Sequence, residues 1–215
     1  MSEETVMRYL GKPFGMWVLY KRSFKDNMTT DLGISPEDAR RIIKRAKTEY
    51  RKMIDKLPEF EKGDRFTVNI INCSLLTAIL LCLKRRPSVE EVTAYYEHAM
   101  SNTPTKIFCR MSAKKKFSKK DIDGMKATAA LNAADRNPYS WNMDYIPYED
   151  GSGYEARFYK CGICALMKEY GFYDLVPAMC HLDYTMSDLG GASYFVRKYT
   201  LASGGPYCDC GYKKR

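Results

Sequence analysis

The sequence predicts an α+β protein, with a helical N-terminal half packed on a C-terminal β-β-α-α-β-β domain whose sheet is antiparallel. Apolar residues recur at helical spacing through most of residues 35–135. After residue 135, pairs of short alternating segments around glycine-containing turns appear twice, and two helical segments lie between them. Helices and strands that are segregated along the chain are typical of the α+β class.

We divide the 215 residues into an N-terminal arm (1–34), a helical region (35–135) and a cysteine-rich α+β region (136–215). The last two are expected to form one compact unit. A chain of this length can bury its own core without disulfides or a metal. The arm has no clear periodicity, although its apolar residues between 14 and 20 are expected to pack on the main body.

Four helices are predicted in the helical region. Ser35 is an N-cap followed by proline, and Pro58 ends that helix. The apolar run 66–83 is the second helix. Ser88 begins the third with a capping box, and Ser118 begins the fourth, which runs to about residue 134.

The C-terminal region contains the predicted strands and two further helices. The segment 141–145 pairs with 154–160 in a first hairpin. Helices follow over 163–170 and 175–189, and Gly190-Gly191 ends the second. The last hairpin consists of predicted strands over 194–201 and 207–212.

Charge and hydropathy limit the partners. The net charge of +9 permits weak attraction to anions, but aromatic residues do not alternate with the lysines as single-strand nucleic-acid binding would require. We interpret Lys114–Lys116 as part of a solvated helix start and 213–215 as a frayed tail. The run 66–83 contains polar residues and is short for a membrane span. Neither nucleic acid nor a membrane is therefore expected as a partner.

The cysteines indicate a reducing compartment. The start, MSEETVMRYLGK, does not resemble a signal peptide. Eight cysteines without a secretory signal favour free thiols and a cytoplasmic location. The oligomeric state is left open, and a homo-oligomer is compatible with the sequence.

Four cysteines raise the question of a metal or redox site. Cys161 and Cys164 have CxxC spacing, and Cys208 and Cys210 could complete a zinc site. Residues two apart in a strand make a poor chelate, so we expect no metal or other cofactor and keep zinc as the less favoured alternative. A thioredoxin-type site would need a βαβ context, whereas this motif follows an antiparallel hairpin.

A second group of reactive side chains lies in the predicted helix 175–189. Cys180 and Asp183 are three residues apart and share a helix face. His181 projects away from Cys180. Because Asp183 has apolar neighbours, its carboxylate needs a partner, and Arg197 or Arg157 can supply one.

The C-terminal residues resemble a known family. The run 197–209, RKYTLASGGPYCD, is similar to the closing pattern R-x-x-T-L-A-x-G…C-D of the L-2-amino-thiazoline-4-carboxylic acid hydrolase family. Cys161 and the C-x-x-D pair of Cys180 and Asp183 also stand where that family has a strand-end cysteine and a helix. The similarity extends from about residue 35 and is most specific over 157–210. This chain has Gly162 where the family commonly has proline and Cys210 where it commonly has phenylalanine.

The resemblance implies hydrolytic opening of a cyclic C=N bond in a small thiazoline carboxylate, giving a carbamoyl-cysteine. That chemistry needs a nucleophile, an acid and a cation for the substrate carboxylate. The implied catalytic residues are Cys180 or Cys161 as the nucleophile, Asp183 as the acid–base and His181 as a lesser candidate. The implied substrate-binding residues are Arg197, Arg157, Thr200, Cys208 and Asp209.

Two other functions stay open. The closing hairpin G-x-x-Y-C-x-C is also similar to small-molecule-binding domains of the vinyl-reductase (4VR) type, which implies a non-catalytic sensor. The cysteines could instead form a metal or redox module. For the hydrolase and for the sensor, the expected partner is a small molecule.

Overall fold

The structure is a computed structural model that describes residues 13–215. Its helices are α1 (Pro13–Leu32), α2 (Pro36–Lys56), α3 (Thr67–Leu80), α4 (Val89–Met100), α5 (Thr103–Ala113), α6 (Lys119–Asn132), α7 (Gly162–Glu169) and α8 (Val176–Gly190). Its strands are β1 (Asn142–Pro147), β2 (Gly153–Lys160), β3 (Ser193–Val196) and β4 (Cys208–Lys214). Helices fill the N-terminal half and all four strands pair antiparallel, which confirms the α+β prediction.

Most of the segment expected as an arm is helix α1. Its side chains Trp17 and Phe24 are buried in the main core. The Tyr95 hydroxyl of α4 donates a hydrogen bond to the Phe24 carbonyl at 3.0 Å. Residues 1–12 of the predicted arm lie outside the described residues.

The predicted helix starts are confirmed. The Ser35 hydroxyl accepts a hydrogen bond from the Asp38 amide at 3.1 Å. Ser88 forms a complete capping box, and Ser118 caps α6 through an amide of its first turn. Each such cap stabilises its helix by about 1 kcal/mol.

Helix α5 is not predicted from the sequence. Asn102 caps it, and its side-chain oxygen accepts from the Thr105 amide at 3.0 Å. Ile107, Phe108 and Met111 on this helix are exposed. The helix buries only Thr105 and Cys109, so no apolar stripe facing the core marks it in the sequence.

Helix α3 is the apolar centre of the molecule. Most of its residues are buried, which agrees with the expected buried helix. It contacts α2 on one side and α7 on another. Within residues 13–215, no helix has the length and apolar character that crossing a membrane requires.

The sheet has the order β1-β2-β4-β3, so the C-terminal strand β4 lies inside it, between β2 and β3. The two predicted hairpins therefore share one sheet. Strand β3 is shorter than the predicted 194–201: it ends at Val196, and Leu201–Ser203 form a short 3₁₀ turn. Arg197 consequently lies just beyond the strand and not within it.

One sheet face is covered by α6 and α8. It contributes the buried side chains of a second, smaller core, namely Met143, Ala156, Phe195, Cys208 and Cys210. Side chains alternate across a strand. Arg157 and Asp209, which are direct cross-strand partners, therefore belong to the opposite face.

A buried polar cluster holds the chain just before β1. Asn132 donates to Asp64 at 3.1 Å and to the Ser140 hydroxyl at 2.9 Å, and Ser140 donates to Asp64 at 2.6 Å. These three hydrogen bonds between buried groups fix the chain at Ser140. The next residue is Trp141, whose ring is buried beside the start of α7.

Candidate functional site

Cys161 lies at the junction of β2 and α7. Strand β2 ends at Lys160, and Cys161 has extended dihedrals (φ −134°, ψ 116°) as the N-cap of α7. The amides of Ile163 and Cys164 lower the pKa of its thiol, although its sulfur forms no conventional side-chain cap hydrogen bond. The positive end of a helix dipole favours a thiolate at this place.

Gly162 permits this junction. A Cβ at residue 162 would lie 2.0 Å from the Tyr139 carbonyl oxygen and 3.0 Å from the Trp141 ring. Any side chain, proline included, carries that Cβ. The difference from the family pattern at this position therefore matches the close packing around Cys161 in this chain.

The surroundings of Cys161 lower the pKa of its thiol. The main cause is a hydrogen bond with the Cys164 thiol; burial opposes it, and the two amides and the Trp141 side chain add to the lowering. The same contact, together with burial, raises the pKa of Cys164. The pair is thus asymmetric, with the negative charge favoured on Cys161.

Cys180 and Cys208 have the opposite tendency. Burial raises the pKa of Cys180 to about 12, and the Arg197 charge only partly offsets this. Burial also raises the pKa of Cys208, whose sulfur accepts a hydrogen bond from the Leu201 amide at 3.2 Å. A charge on Cys161 influences both thiols. Of these three neighbouring cysteines, Cys161 is the one whose surroundings favour the reactive thiolate.

Asp183 and Arg197 form an ion pair beside these thiols. Arg197 donates from Nη1 to Asp183 Oδ2 at 2.8 Å and from Nη2 to the Cys180 carbonyl at 2.9 Å. The Arg197 side chain is only 8% exposed, whereas that of Asp183 is 44% exposed. Burial opposes the Arg197 charge, but Asp183 holds the pKa of this guanidinium above its ordinary value.

The Asp183 carboxyl opens onto a cavity of about 350 Å³, which accounts for its exposure. The surrounding protein nevertheless desolvates this carboxyl and raises its pKa, while Arg197 acts in the opposite direction. Arg65, Lys116 and Tyr212 also line the cavity. Cys161, Cys180 and Cys208 are not among the residues that line it.

Lys116 corrects one expectation. It does not belong to a solvated helix start: it follows α5, and its Nζ lies 3.5 Å from the centre of the Tyr212 ring and 4.8 Å from that of Tyr154. Burial lowers the pKa of Lys116 to about 8, against the opposing charge of Asp121. The sequence signal for this site is the aromatic spacing of Tyr154 and Tyr212 on adjacent strands.

The structure places the other predicted residues away from the thiols. His181 is exposed, with Nε2 3.7 Å from Glu97. Arg157 donates to Glu155 at 2.6 Å and stacks 4.4 Å from the centre of the Tyr207 ring, on the opposite sheet face. This position does not suit a clamp for a substrate beside Asp183.

Thr200 and Asp209 have local partners. The Thr200 hydroxyl accepts from the Ser203 amide at 3.1 Å and caps the short 3₁₀ turn. Asp209 accepts from the amides of Lys198 and Tyr199 at 3.0 and 2.6 Å. Both residues shape the chain between β3 and β4, where Arg197 and Leu201 lie.

Trp141 and Tyr173 are contacts of the thiols that the sequence analysis misses. Tyr173 interacts with Cys164, and its hydroxyl donates to the Leu201 carbonyl at 3.2 Å. No local pattern marks either residue, because each meets the thiols only through the fold. Within residues 13–215, no three His, Cys, Asp or Glu side chains are arranged to hold a metal ion.

The structure is thus an α+β protein with a cysteine of lowered pKa at a strand–helix junction. The sequence matches the L-2-amino-thiazoline-4-carboxylic acid hydrolase family over residues 68–212, which is more than half of the chain. The chain therefore belongs to that family. Searches of curated proteins and of solved structures each found no match.

Proposed function

We propose that this protein hydrolyses a small cyclic amidine carboxylate of the thiazoline class, with Cys161 as the nucleophile. The observation that supports this most is the hydrogen bonding of Cys161, which lowers the pKa of its thiol while burial raises that of Cys180. Family membership supports the hydrolase class. Of the two candidate nucleophiles, Cys161 is therefore preferred.

The reaction proceeds in two steps. The Cys161 thiolate adds to the amidine carbon of the cyclic C=N bond. The C=N bond then re-forms as the ring carbon–sulfur bond breaks, and the departing sulfur takes a proton. The substrate is now joined to Cys161 as an isothiourea. Water then adds to the same carbon, and the Cys161 thiolate leaves. The sum is substrate plus one water giving an N-carbamoyl-cysteine, with no atom left on the protein.

Asp183 is assigned the proton transfers. Burial favours its neutral form, and the ion pair with Arg197 favours its charged form, so opposing influences act on one carboxyl. Such a balance suits a group that donates and later accepts a proton. It lies on α8, one turn after Cys180, and its charge acts on the thiols of Cys180 and Cys208.

Arg197 is assigned the substrate carboxylate. It is the cation whose charge reaches Cys180, Cys208 and Cys210, whereas Arg157 lies on the other sheet face. Its guanidinium already holds Asp183. The substrate carboxylate must therefore share the guanidinium, as the planar fork of an arginine allows.

The test is turnover of 2-amino-thiazoline-4-carboxylate, followed by chromatography of the ring-opened product. We expect Cys161→Ala to lose about 10³-fold or more in kcat, and Cys180→Ala to stay within about tenfold because its thiol is not the attacking group. Cys82→Ala is the control, since Cys82 is another free cysteine but lies near Arg45 and Glu49, away from the site. Full turnover in Cys161→Ala, or no ring opening by the wild type, would overturn the proposal.

A further inference from the structure

Cys161 and Cys164 are two free thiols three residues apart at the start of α7. Both are partly exposed, and each thiol shifts the pKa of the other. Cys161 is the N-cap of α7 and Cys164 lies in its first turn. Positions three apart at a helix start face the same side, within the range of separations that a disulfide bridges.

The two thiols differ in the way that a redox pair requires. The sulfur of Cys161 is favoured as the thiolate, which is the form that attacks an oxidant. Cys164 stays protonated and is placed to attack a modified Cys161 sulfur. A sulfenic acid beside such a resolving thiol condenses to a disulfide before it is oxidised further.

We propose that Cys161 and Cys164 form a reversible disulfide when the protein meets a hydroperoxide. The Cys161 thiolate attacks the terminal peroxide oxygen, the O–O bond breaks, and the alkoxide leaves and takes a proton as the alcohol. The Cys164 sulfur then attacks the sulfenic sulfur, and the hydroxide leaves with the Cys164 proton as water. Two thiols and one hydroperoxide give one disulfide, one alcohol and one water, and a small dithiol reverses the change by exchange.

The disulfide would regulate the proposed hydrolase, because it removes the Cys161 thiolate that acts as the nucleophile. That consequence rests on the proposed function, whereas the disulfide itself does not. The surrounding protein contains no βαβ unit at this point, since the motif follows β2 of an antiparallel sheet. The pair therefore serves as a local thiol switch and not as a thioredoxin domain.

The test uses the full chain with hydrogen peroxide, then N-ethylmaleimide, trypsin and mass spectrometry. Both cysteines lie on one tryptic peptide, 161–168, between Lys160 and Glu169. After peroxide, we expect this peptide to be two hydrogen atoms lighter and to carry no maleimide. If dithiothreitol is added before the maleimide, both cysteines should again be labelled. In Cys164→Ser we expect Cys161 to reach the sulfinic acid, which dithiothreitol does not reverse.

Cys180→Ala is the control, because Cys180 is the neighbouring thiol that could compete for Cys161. The 161–168 disulfide should form equally in this variant. A wild-type peptide that stays fully labelled, becomes sulfinic, or links to the Cys180 peptide overturns the proposal. These masses do not depend on turnover, so failure here and failure of the hydrolase proposal are separate results.

Discussion

Replacing Cys164 by alanine tests the chemistry of Cys161 most specifically. The Cys164 thiol is the leading cause of the lowered Cys161 pKa, ahead of the two amides and Trp141. Cys164→Ala removes that donor and leaves the helix start in place, because alanine is a good helix residue. We expect the pKa of Cys161 to rise and its alkylation at neutral pH to slow.

The size of the effect follows from the hydrogen bond that is lost. A hydrogen bond to a charged group contributes about 1.5–3 kcal/mol, and each 1.36 kcal/mol changes the thiolate population about tenfold. A thiolate of higher pKa is also a better nucleophile, which cancels roughly half of that change. The alkylation rate of Cys161 should therefore fall about 3- to 10-fold.

The assay is the rate of iodoacetamide labelling of peptide 161–168 from pH 5 to 9. For the wild type, the Cys161 half-point should lie below the ordinary thiol value of 9.0. Cys180→Ala is the control and should label Cys161 at the wild-type rate. Equal pH profiles for the wild type and Cys164→Ala, or a wild-type half-point above the ordinary value, would refute the account of Cys161 activation.

Three further predictions concern the support of the site. Arg197→Met leaves the Asp183 carboxylate without its cation and should lower the free energy of unfolding by about 2 kcal/mol. This loss is smaller than for a fully buried pair because the Asp183 side chain is 44% exposed. Urea unfolding measures the loss, and a loss no larger than that of Arg197→Lys would contradict the prediction. Gly162→Ala should lower the free energy of unfolding by about 1–3 kcal/mol, because its Cβ clashes with the Tyr139 carbonyl. Gly124→Ala, within α6 and with no atom near the added Cβ, should be neutral or stabilising. Equal melting temperatures for the two variants would contradict the packing described around Gly162. Lys116 should lose its proton near pH 8 in a ¹³C-methyl NMR titration. Because the pKa of Lys116 in the folded protein lies below 10.5, the free energy of unfolding should rise between pH 8 and 10.5. An ordinary lysine titration would exclude the burial of Lys116 among the aromatic rings.

Local signals made most of the fold predictable. The caps at Ser35, Ser88 and Ser118 depend on a few neighbouring residues, and each begins a helix as expected. The two hairpins followed from alternation around turns. By contrast, α5 escaped prediction because its apolar side chains face outwards, although Asn102 and the proline after it were a usable start signal.

The site was less predictable, because its chemistry depends on contacts between distant segments. The sequence grouped Cys161, Cys180 and Asp183 but left two nucleophiles open. Their difference comes mainly from Cys164, which lowers the pKa of Cys161, and from burial, which raises the pKa of Cys180. Trp141, twenty residues before Cys161 in the chain, adds to the lowering. The early end of β3 has the same origin, since Arg197 leaves the strand to bond Asp183 on α8.

The central claim is that Cys161 attacks the amidine carbon of a thiazoline carboxylate. Rapid acid quenching of a single turnover, with mass analysis of peptide 161–168, tests this step directly. The account predicts that the peptide transiently gains the full mass of the substrate before product appears. Ring-opened product that forms with no adduct on this peptide at any quench time, or with the adduct on Cys180, would contradict it.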